Sequence, residues 1–490
     1  MNIEKPSLVR LRFAAAPAVL TLAVCLVGIG QRQFWRDEQA TWWASALPLG
    51  DLRRLVEQVD VVLLPYYLFM HVWIALFGNS EIAMRVPSAI LMGLAAGLLA
   101  LVGRRLLDVP TGLLAGLLFA LLPAVSRYGG EARPYAMALA ATLAATLLLL
   151  RAQDRPSPQR WAFYGLSVIW IGLGHLVSLS VLAAHLALVI TRARADRRVR
   201  IGWAVSVAAA LVVLAPVILI SRRQSGQIGW IDEPTWEVLR AFPGEVFVSG
   251  PVAALVLIPG LIGIGLLFPS NRTAATALLL WTLLPPVLAY LSFDALGLFY
   301  HRYFLFTVPA WLLAAAWALR RIFTTRRALV AAGVCAALVL VAAGLPNHRF
   351  VRSNAVEDEL AWRDAARWLN GRLQPGDRVA YTGYARLHRG FSYEFSRLPG
   401  ADPGEVYSQV TRDGTWWWDH ELAADPAAGL DGVDRFWLVE ANPVRGPLSR
   451  LPAEARRYVG KRYTIAETDA FTRLQVTLLT VKAGDGVSPG

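Results

Sequence analysis

The stretch RFAAAPAVLTLAVCLVGIGQRQFWRDEQATWW, residues 12–43, sets the class of the molecule. Its part from 13 to 30 is a predominantly apolar run. A bilayer core of about 30 Å takes a helix of about 20 such residues, with about 17 as the lower limit. Arg10 and Arg12 precede the run, and Gly28-Ile29-Gly30 leads straight into Gln31-Arg32 without a small-residue cleavage pattern. It therefore reads as a retained signal anchor with a cytoplasmic amino terminus. A plain anchor would not need the charged and aromatic segment behind it, in which the adjacent acids Asp37 and Glu38 stand among Arg36, Phe34, Trp35, Trp42 and Trp43.

Working outward, further apolar runs lie at about 61–78, 86–103, 111–126, 135–150, 161–174, 176–190, 201–220, 251–268, 273–292, 303–319 and 328–345. Short loops rich in arginine face the cytoplasm, and the richest are Arg104-Arg105, Arg151 to Arg160, Arg192 to Arg200, Arg272, and Arg320 to Arg327. Their alternation agrees with a cytoplasmic amino terminus only if one run before residue 103 fails to cross. The weakest is 61–78, which holds Pro65, Tyr66, Tyr67 and His71 and comes after Arg53, Arg54, Glu57 and Asp60. We read it as an interfacial helix inside a first external loop, 31–84. The expectation is an α-helical integral membrane protein of about 11 transmembrane helices in a membrane domain, 1–345. Residues 346–490 form an extracytoplasmic soluble α/β domain. In that tail Val356 to Leu373 has helical spacing, Pro375-Gly376-Asp377 is a turn, and Arg378 to Thr382, Phe436 to Glu440 and Leu474 to Val481 read as strands. The run from Trp161 to Ile190 must hinge near Gly174-His175, or it would be one overlong helix.

Composition narrows the function. Of the 490 residues 56% are hydrophobic and only 17% charged, against roughly 25% charged in ordinary soluble domains. The net charge of +13 would suggest nucleic acid in a soluble chain; here the arginines sit between apolar runs, so no nucleic acid is expected. Cys25 and Cys335 both lie inside apolar runs, which rules out a disulfide framework and a thiolate metal site of the usual spacing. Lysine occurs only at Lys5, Lys461 and Lys482, so nearly every cation is an arginine, which fits either a GC-rich genome or a use for bidentate phosphate contacts; composition alone does not separate the two.

Charges near helix ends on the outer side form three constellations. The first is the Arg36-Asp37-Glu38 segment. Neighbouring acids do not share a helix face, so one can point into a cavity while the other caps a helix or pairs with arginine; alternatively both supply favourable charge at a helix start. The second is Ser126-Arg127-Tyr128-Gly129-Gly130-Glu131-Ala132-Arg133-Pro134-Tyr135, where Pro134 suits a first helical position and Arg133 stands at the helix mouth, as a ligand or as a snorkelling anchor paired with Glu131. The third is Phe299-Tyr300-His301-Arg302-Tyr303-Phe304, a ligand site or an aromatic belt. Of the lone histidines His175 and His185, only His175 sits at a hinge; His185 reads as a packing residue.

One acid, several arginines and many aromatics on the outer side suit sugar transfer from a lipid-linked phosphate donor. Phosphate is already a good leaving group, so the site needs cations to stabilise its departure and one carboxylate to take the acceptor's proton. Glycoside hydrolysis would need two opposed carboxyl groups.

These residues are also similar to a known family. Asp37-Glu38, then Asp60-Val61-Val62-Leu63-Leu64-Pro65-Tyr66-Tyr67, Phe77-Gly78-Asn79-Ser80-Glu81 with Arg85-Val86-Pro87-Ser88, Glu131-Ala132-Arg133-Pro134-Tyr135 and His301-Arg302-Tyr303 resemble the protein O-mannosyltransferase and aminoarabinose-transferase superfamily over most of residues 10–345. The resemblance implies the C-type multispanning glycosyltransferase fold, a polyprenyl-phosphate sugar donor, and Asp37 as the catalytic aspartate with Glu38 as the adjacent family acid. Substrate-binding expectations fall on Arg133 and Arg302, then Arg36, Arg85, Asp60, Tyr66, Tyr135, His175 and His301. Where the family usually shows His/Lys-Pro-Pro-Leu after the second acid, this chain has Leu63-Leu64-Pro65. A divalent metal is left open and no metal ligands are assigned. The expected enzyme is a hexosyl- or pentosyltransferase of mannosyltransferase type, multi-pass in the cell membrane amid membrane lipid. It would glycosylate a glycan, lipid or protein acceptor of the cell envelope. The competing classes are a lipid or glycan transporter or flippase and a noncatalytic scaffold.

Overall fold

The apolar runs fold as helices because a backbone in lipid must satisfy its own hydrogen bonds. The computed structural model describes residues 8–192, 196–384, 386–400, 403–406, 408–409, 420–421 and 427–482. Part of the arginine-rich loop Arg192 to Arg200, residues 193–195, lies outside them. All eleven expected runs fall on helical elements. Among the described residues, seven helices are long and apolar enough to span, from Glu81–Leu106 to Arg326–Phe350, and eight if Val109–Phe119 and Pro123–Gly129, bent by 64°, count as one. The expected eleven is not reached by that measure. The shortfall comes from short helices: Phe13–Leu26, the 17-residue Pro158–Gly174, and Leu176–Thr191. The 61–78 run forms a 3-10 turn, Val61–Leu63, and a 14-residue helix, Leu64–Phe77. Together, Val61–Phe77 is a short apolar helix of the same class as Phe13–Leu26 and Leu176–Thr191.

Helix starts are encoded locally. Ser80, Asp108, Ser157, Thr235, Ser249, Asn271 and Thr325 each accept from a backbone N–H in the first turn of the next helix, an arrangement worth about 1 kcal/mol each. The expected hinge is present: the helix ends at Gly174, and His175 is extended (φ −166°, ψ 118°) before a 3-10 segment, Leu176–Val181. Gly174 is required there, since a Cβ would stand 2.9 Å from Ala138 Cα. Gly103 and Gly112 likewise let the backbones of Glu81–Leu106 and Val109–Phe119 touch, the small-residue contact by which membrane helices pack.

The chain divides into two compact units, Met1–Gln31 with Ala44–Ser353, and Arg32–Trp43 with Asn354–Gly490. In the second unit β1 (Arg378–Thr382), β2 (Gly404–Val406), β5 (Arg435–Ala441), β6 (Tyr463–Phe471) and β7 (Leu474–Val481) form one sheet in the order β2-β1-β5-β7-β6. Strand β1 runs parallel to β2 and β5, and β7 runs antiparallel to β5 and β6. A separate antiparallel pair is β3 (Ser408–Gln409) with β4 (His420–Glu421). Side chains alternate across a strand, so Val379, Tyr381, Trp437 and Val439 face helices Trp362–Asn370 and Leu387–Phe395, while Ala380, Phe436 and Leu438 face helix Ala453–Arg462. Two hydrophobic layers result, one on each face of the sheet. The turn before β1 is locked by Asp377, whose carboxylate accepts from Arg435 Nε (2.7 Å), Trp437 Nε1 (2.9 Å) and Gln374 N (3.0 Å). The helix expected over Val356 to Leu373 is shorter, Trp362–Asn370, because Glu359 at its approach is extended.

Candidate active site

The expected site residues divide between the two units. In the membrane unit, Pro123–Gly129 is a short buried helix, and its Arg127 donates from Nε to Glu131 Oε1 at 3.3 Å. The two are four residues apart, hence on neighbouring turns, with side chains 9% and 0% exposed. Tyr128, 1% exposed, lies among the charges of Arg127, Arg302 and Glu131, and its hydroxyl is buried without a hydrogen-bond partner. Arg302 is itself buried and stacks 5.0 Å from the Tyr300 ring centroid. Its neighbour His301 meets Glu245 through Nδ1 at 3.2 Å. That bond holds the Glu245 carboxyl below the usual carboxylate range against the opposing effect of burial.

Rings connect this group to the hinge. Tyr128 meets Tyr135 edge-on at 5.3 Å, Tyr135 lies 6.0 Å from His175, and His175 lies 4.7 Å from Tyr303. Arg133 is the charge acting on His175, and the Arg133 carbonyl accepts from Ser88 Oγ at 3.5 Å. Pro134 stands one residue before the helix Tyr135–Asp154 rather than at its first position. The structure thus gathers Arg302, His301, Tyr135, His175 and Arg133 with Arg127, Tyr128, Glu131, Tyr303 and Glu245.

The other expected residues are held by different partners. Arg85, 1% exposed, donates to the Ile29 carbonyl at 2.8 Å. Asp60 has φ +60° and accepts from Tyr67 Oη at 3.0 Å. Gln227 and Gln224 accept from the Asp60 and Val61 N–H groups, and Gln224 also donates to Val56 O at 2.9 Å. Tyr66 packs 6.2 Å from Phe69. Among the described residues no group of three His, Cys, Asp or Glu gathers to hold a metal. His185 is a packing residue: both ring nitrogens are engaged, by Thr146 and Tyr164 at 3.0 Å each.

The second unit holds the adjacent acids. Helix Arg36–Ala46 carries Asp37 and Glu38 in its first turn. Glu38 is fully buried and pairs with Arg32 at 3.5 Å, while Asp37 is half-buried. Arg36 Nε donates to Glu359 Oε1 at 2.7 Å. Sequence reading missed Glu359, Gln33 and Glu245, none of which stands in a motif. Arg127, Tyr128 and Glu131 were in view inside the second constellation, where the i,i+4 spacing of Arg127 and Glu131 could have marked the pair.

No curated protein matches the chain by sequence. The profile of the dolichyl-phosphate-mannose-protein mannosyltransferase family matches residues 60–220. Among solved structures, ArnT from Cupriavidus metallidurans in the apo state is similar at a TM-score of 0.60 and 14% identity, over 94% of this chain and 97% of that one. The same protein bound to undecaprenyl phosphate gives 0.52 and 13%, over 96% and 98%. The apo oligosaccharyltransferase of Archaeoglobus fulgidus gives 0.52 and 13%, over 89% of this chain and 70% of that one. At such identities the fold is what is shared. The chain is a multi-pass membrane protein with the C-type glycosyltransferase fold, and its residues 60–220 match the mannosyltransferase family.

Proposed function

We propose that the protein is a glycosyltransferase that moves a sugar from a polyprenyl-phosphate donor to a hydroxyl of a cell-envelope acceptor on the outer side of the membrane. The observation that carries the reading is the buried grouping of Arg127 and Arg302 around Tyr128, in a chain whose fold is that of enzymes of this chemistry. A guanidinium matches a phosphate with parallel N–H groups, so arginines grouped in a buried site suit the charge of a departing phosphate. Arg133 and Arg302 hold the donor phosphate, with Arg85 supporting the first helix end. Asp37 takes the proton as the acceptor oxygen bonds to the anomeric carbon, and the breaking C–O bond leaves its electron pair on the phosphate. A single displacement of this kind inverts a β-linked donor.

The proposed orientation, with a cytoplasmic amino terminus and the residues after Pro346 outside, comes from the arginine-rich loops. Single-cysteine labelling of intact cells should reach Ser353 and not Ala195; the reverse pattern overturns the orientation. The activity is tested by incubating purified protein with radiolabelled polyprenyl-phosphate sugars and membrane extract. Labelled acceptor and free polyprenyl phosphate are the expected products. Translocation of labelled lipid without bond cleavage would favour the transporter reading, and neither outcome would favour the scaffold.

A further inference from the structure

The segment carrying Asp37 is built into the carboxy-terminal domain by contacts of long range in sequence. Gln33 commits three polar groups to residues 354–363. Its N–H donates to Asn354 Oδ1 (2.9 Å), its Nε2 donates to the Leu360 carbonyl (2.7 Å), and its Oε1 accepts from the Arg363 N–H (3.1 Å). Three residues on, Arg36 reaches Glu359, whose side chain is 2% exposed. On the far side Phe34 and Trp42 pack on Tyr393 with centroids at 4.6 and 5.0 Å, and Arg389 stacks 4.2 Å from the Trp43 ring centroid. Gly390 leaves room for Gln39: a Cβ there would come within 2.8 Å of Gln39 Nε2.

We infer that Glu359 is a positioning residue for Asp37, acting through Arg36, and that the carboxy-terminal domain is thereby part of the catalytic apparatus. The inference rests on the proposed role of Asp37 as the base. Asp37 sits in the first turn of helix Arg36–Ala46, and the chain leading into that turn, residues 33–35, is irregular, so its direction depends on what fixes the start of the helix. The Arg36–Glu359 bond fixes it one residue away. Glu359 is well placed to do this rigidly, being buried on the domain while Arg36 remains 43% exposed. Burial pushes the Glu359 carboxyl up, opposed by the adjacent Arg36; breaking the pair therefore leaves a buried acid without its cation, beside Asp37.

The test uses the full-length protein and separates turnover from folding. Glu359→Gln can still accept from Arg36 but loses the charge, and Glu359→Ala loses both. A base displaced by about 1 Å costs on the order of 100-fold. Glu359→Ala should therefore lose kcat by about that factor and Glu359→Gln by about 10-fold, each with donor KM unchanged. Arg36→Gln should match Glu359→Gln, Arg36→Lys should recover part of the loss, and the double variant Arg36→Gln/Glu359→Gln should be no worse than either single one, because the two act as a unit. Wild-type kcat in Glu359→Ala, or losses that only track the folded fraction and add in the double variant, would overturn the inference while leaving the enzyme reading intact. A wild-type protein that transfers no sugar would overturn that reading, and this inference with it.

Discussion

Two arginine–carboxylate pairs, one in each compact unit, are built in opposite ways. Arg127 and Glu131 lie four residues apart, and both are buried. Arg36 and Glu359 are separated by 323 residues; one is buried and the other half-exposed. The first pair can form as soon as a helical turn forms. The second exists only when the carboxy-terminal domain has folded around the loop. A local pair can serve as a fixed part of the membrane helices, whereas a long-range pair makes the position of Asp37 depend on a separate fold.

The largest effect should come from the acid on the long-range side. A positioned general base contributes typically about 100- to 10,000-fold, or about 3 to 5.5 kcal/mol, so Asp37→Asn should nearly abolish transfer while the protein still inserts and binds donor. Glu38→Gln should cost less, since Glu38 is fully buried against Arg32 and Asp37 is the more open of the two. Transfer within a few-fold of wild type in a well-folded Asp37→Asn variant would remove Asp37 as the base. If Glu38→Gln were then the dead variant, the roles would be exchanged and the comparison would stand on a different residue.

How far the sequence speaks differs between the same two regions. Span positions, the hinge at Gly174-His175 and the strands of the tail come from short-range patterns: length of apolar runs, a glycine between two of them, and alternation along Arg378–Thr382 and Leu474–Val481. The 61–78 helix is legible because proline and charges crowd its start. Arg302, Arg133, Tyr135 and His175 stand out as separate helix-end signals, and the rings that link them do not, because stacking between Tyr135, His175 and Tyr303 depends on how three helical segments pack. Glu359 is invisible for a stronger reason. It lies in an irregular approach to a helix, without periodicity, and its partner is on the far side of the whole membrane unit in sequence.

The middle of the scale belongs to the arginines of the membrane unit. A guanidinium binds phosphate through two parallel N–H groups and an ammonium does not, so Arg302→Lys and Arg133→Lys should each lower kcat/KM for donor by about 10- to 100-fold, near 1.4 to 2.8 kcal/mol. The loss should appear in donor saturation and not in acceptor saturation. Unchanged donor saturation in both variants would reduce them to interface anchors and leave the membrane unit with no demonstrated part in binding phosphate.

The smallest effect on transfer is expected from a buried polar chain that looks site-like by composition and is structural by its bonding. Thr146 donates to the Thr142 carbonyl at 2.8 Å, so its hydroxyl proton is engaged and His185 must donate from Nε2. Nδ1 of His185 then accepts from Tyr164 Oη, which in turn accepts from Trp203 Nε1 at 3.0 Å. Each link of that chain is satisfied, and His185 is 0% exposed, so nothing is left over for a ligand. Tyr164→Phe strands the Trp203 N–H and His185 Nδ1 in an apolar interior, a loss of about 1 to 3 kcal/mol for a buried group left unpaired. Thermal unfolding in detergent should therefore shift downward while kcat and both KM values stay at wild type. If transfer falls with the unfolding midpoint unchanged, the chain communicates with the arginine and aromatic cluster. The division between fixed scaffold and reacting group in the membrane unit would then be wrong.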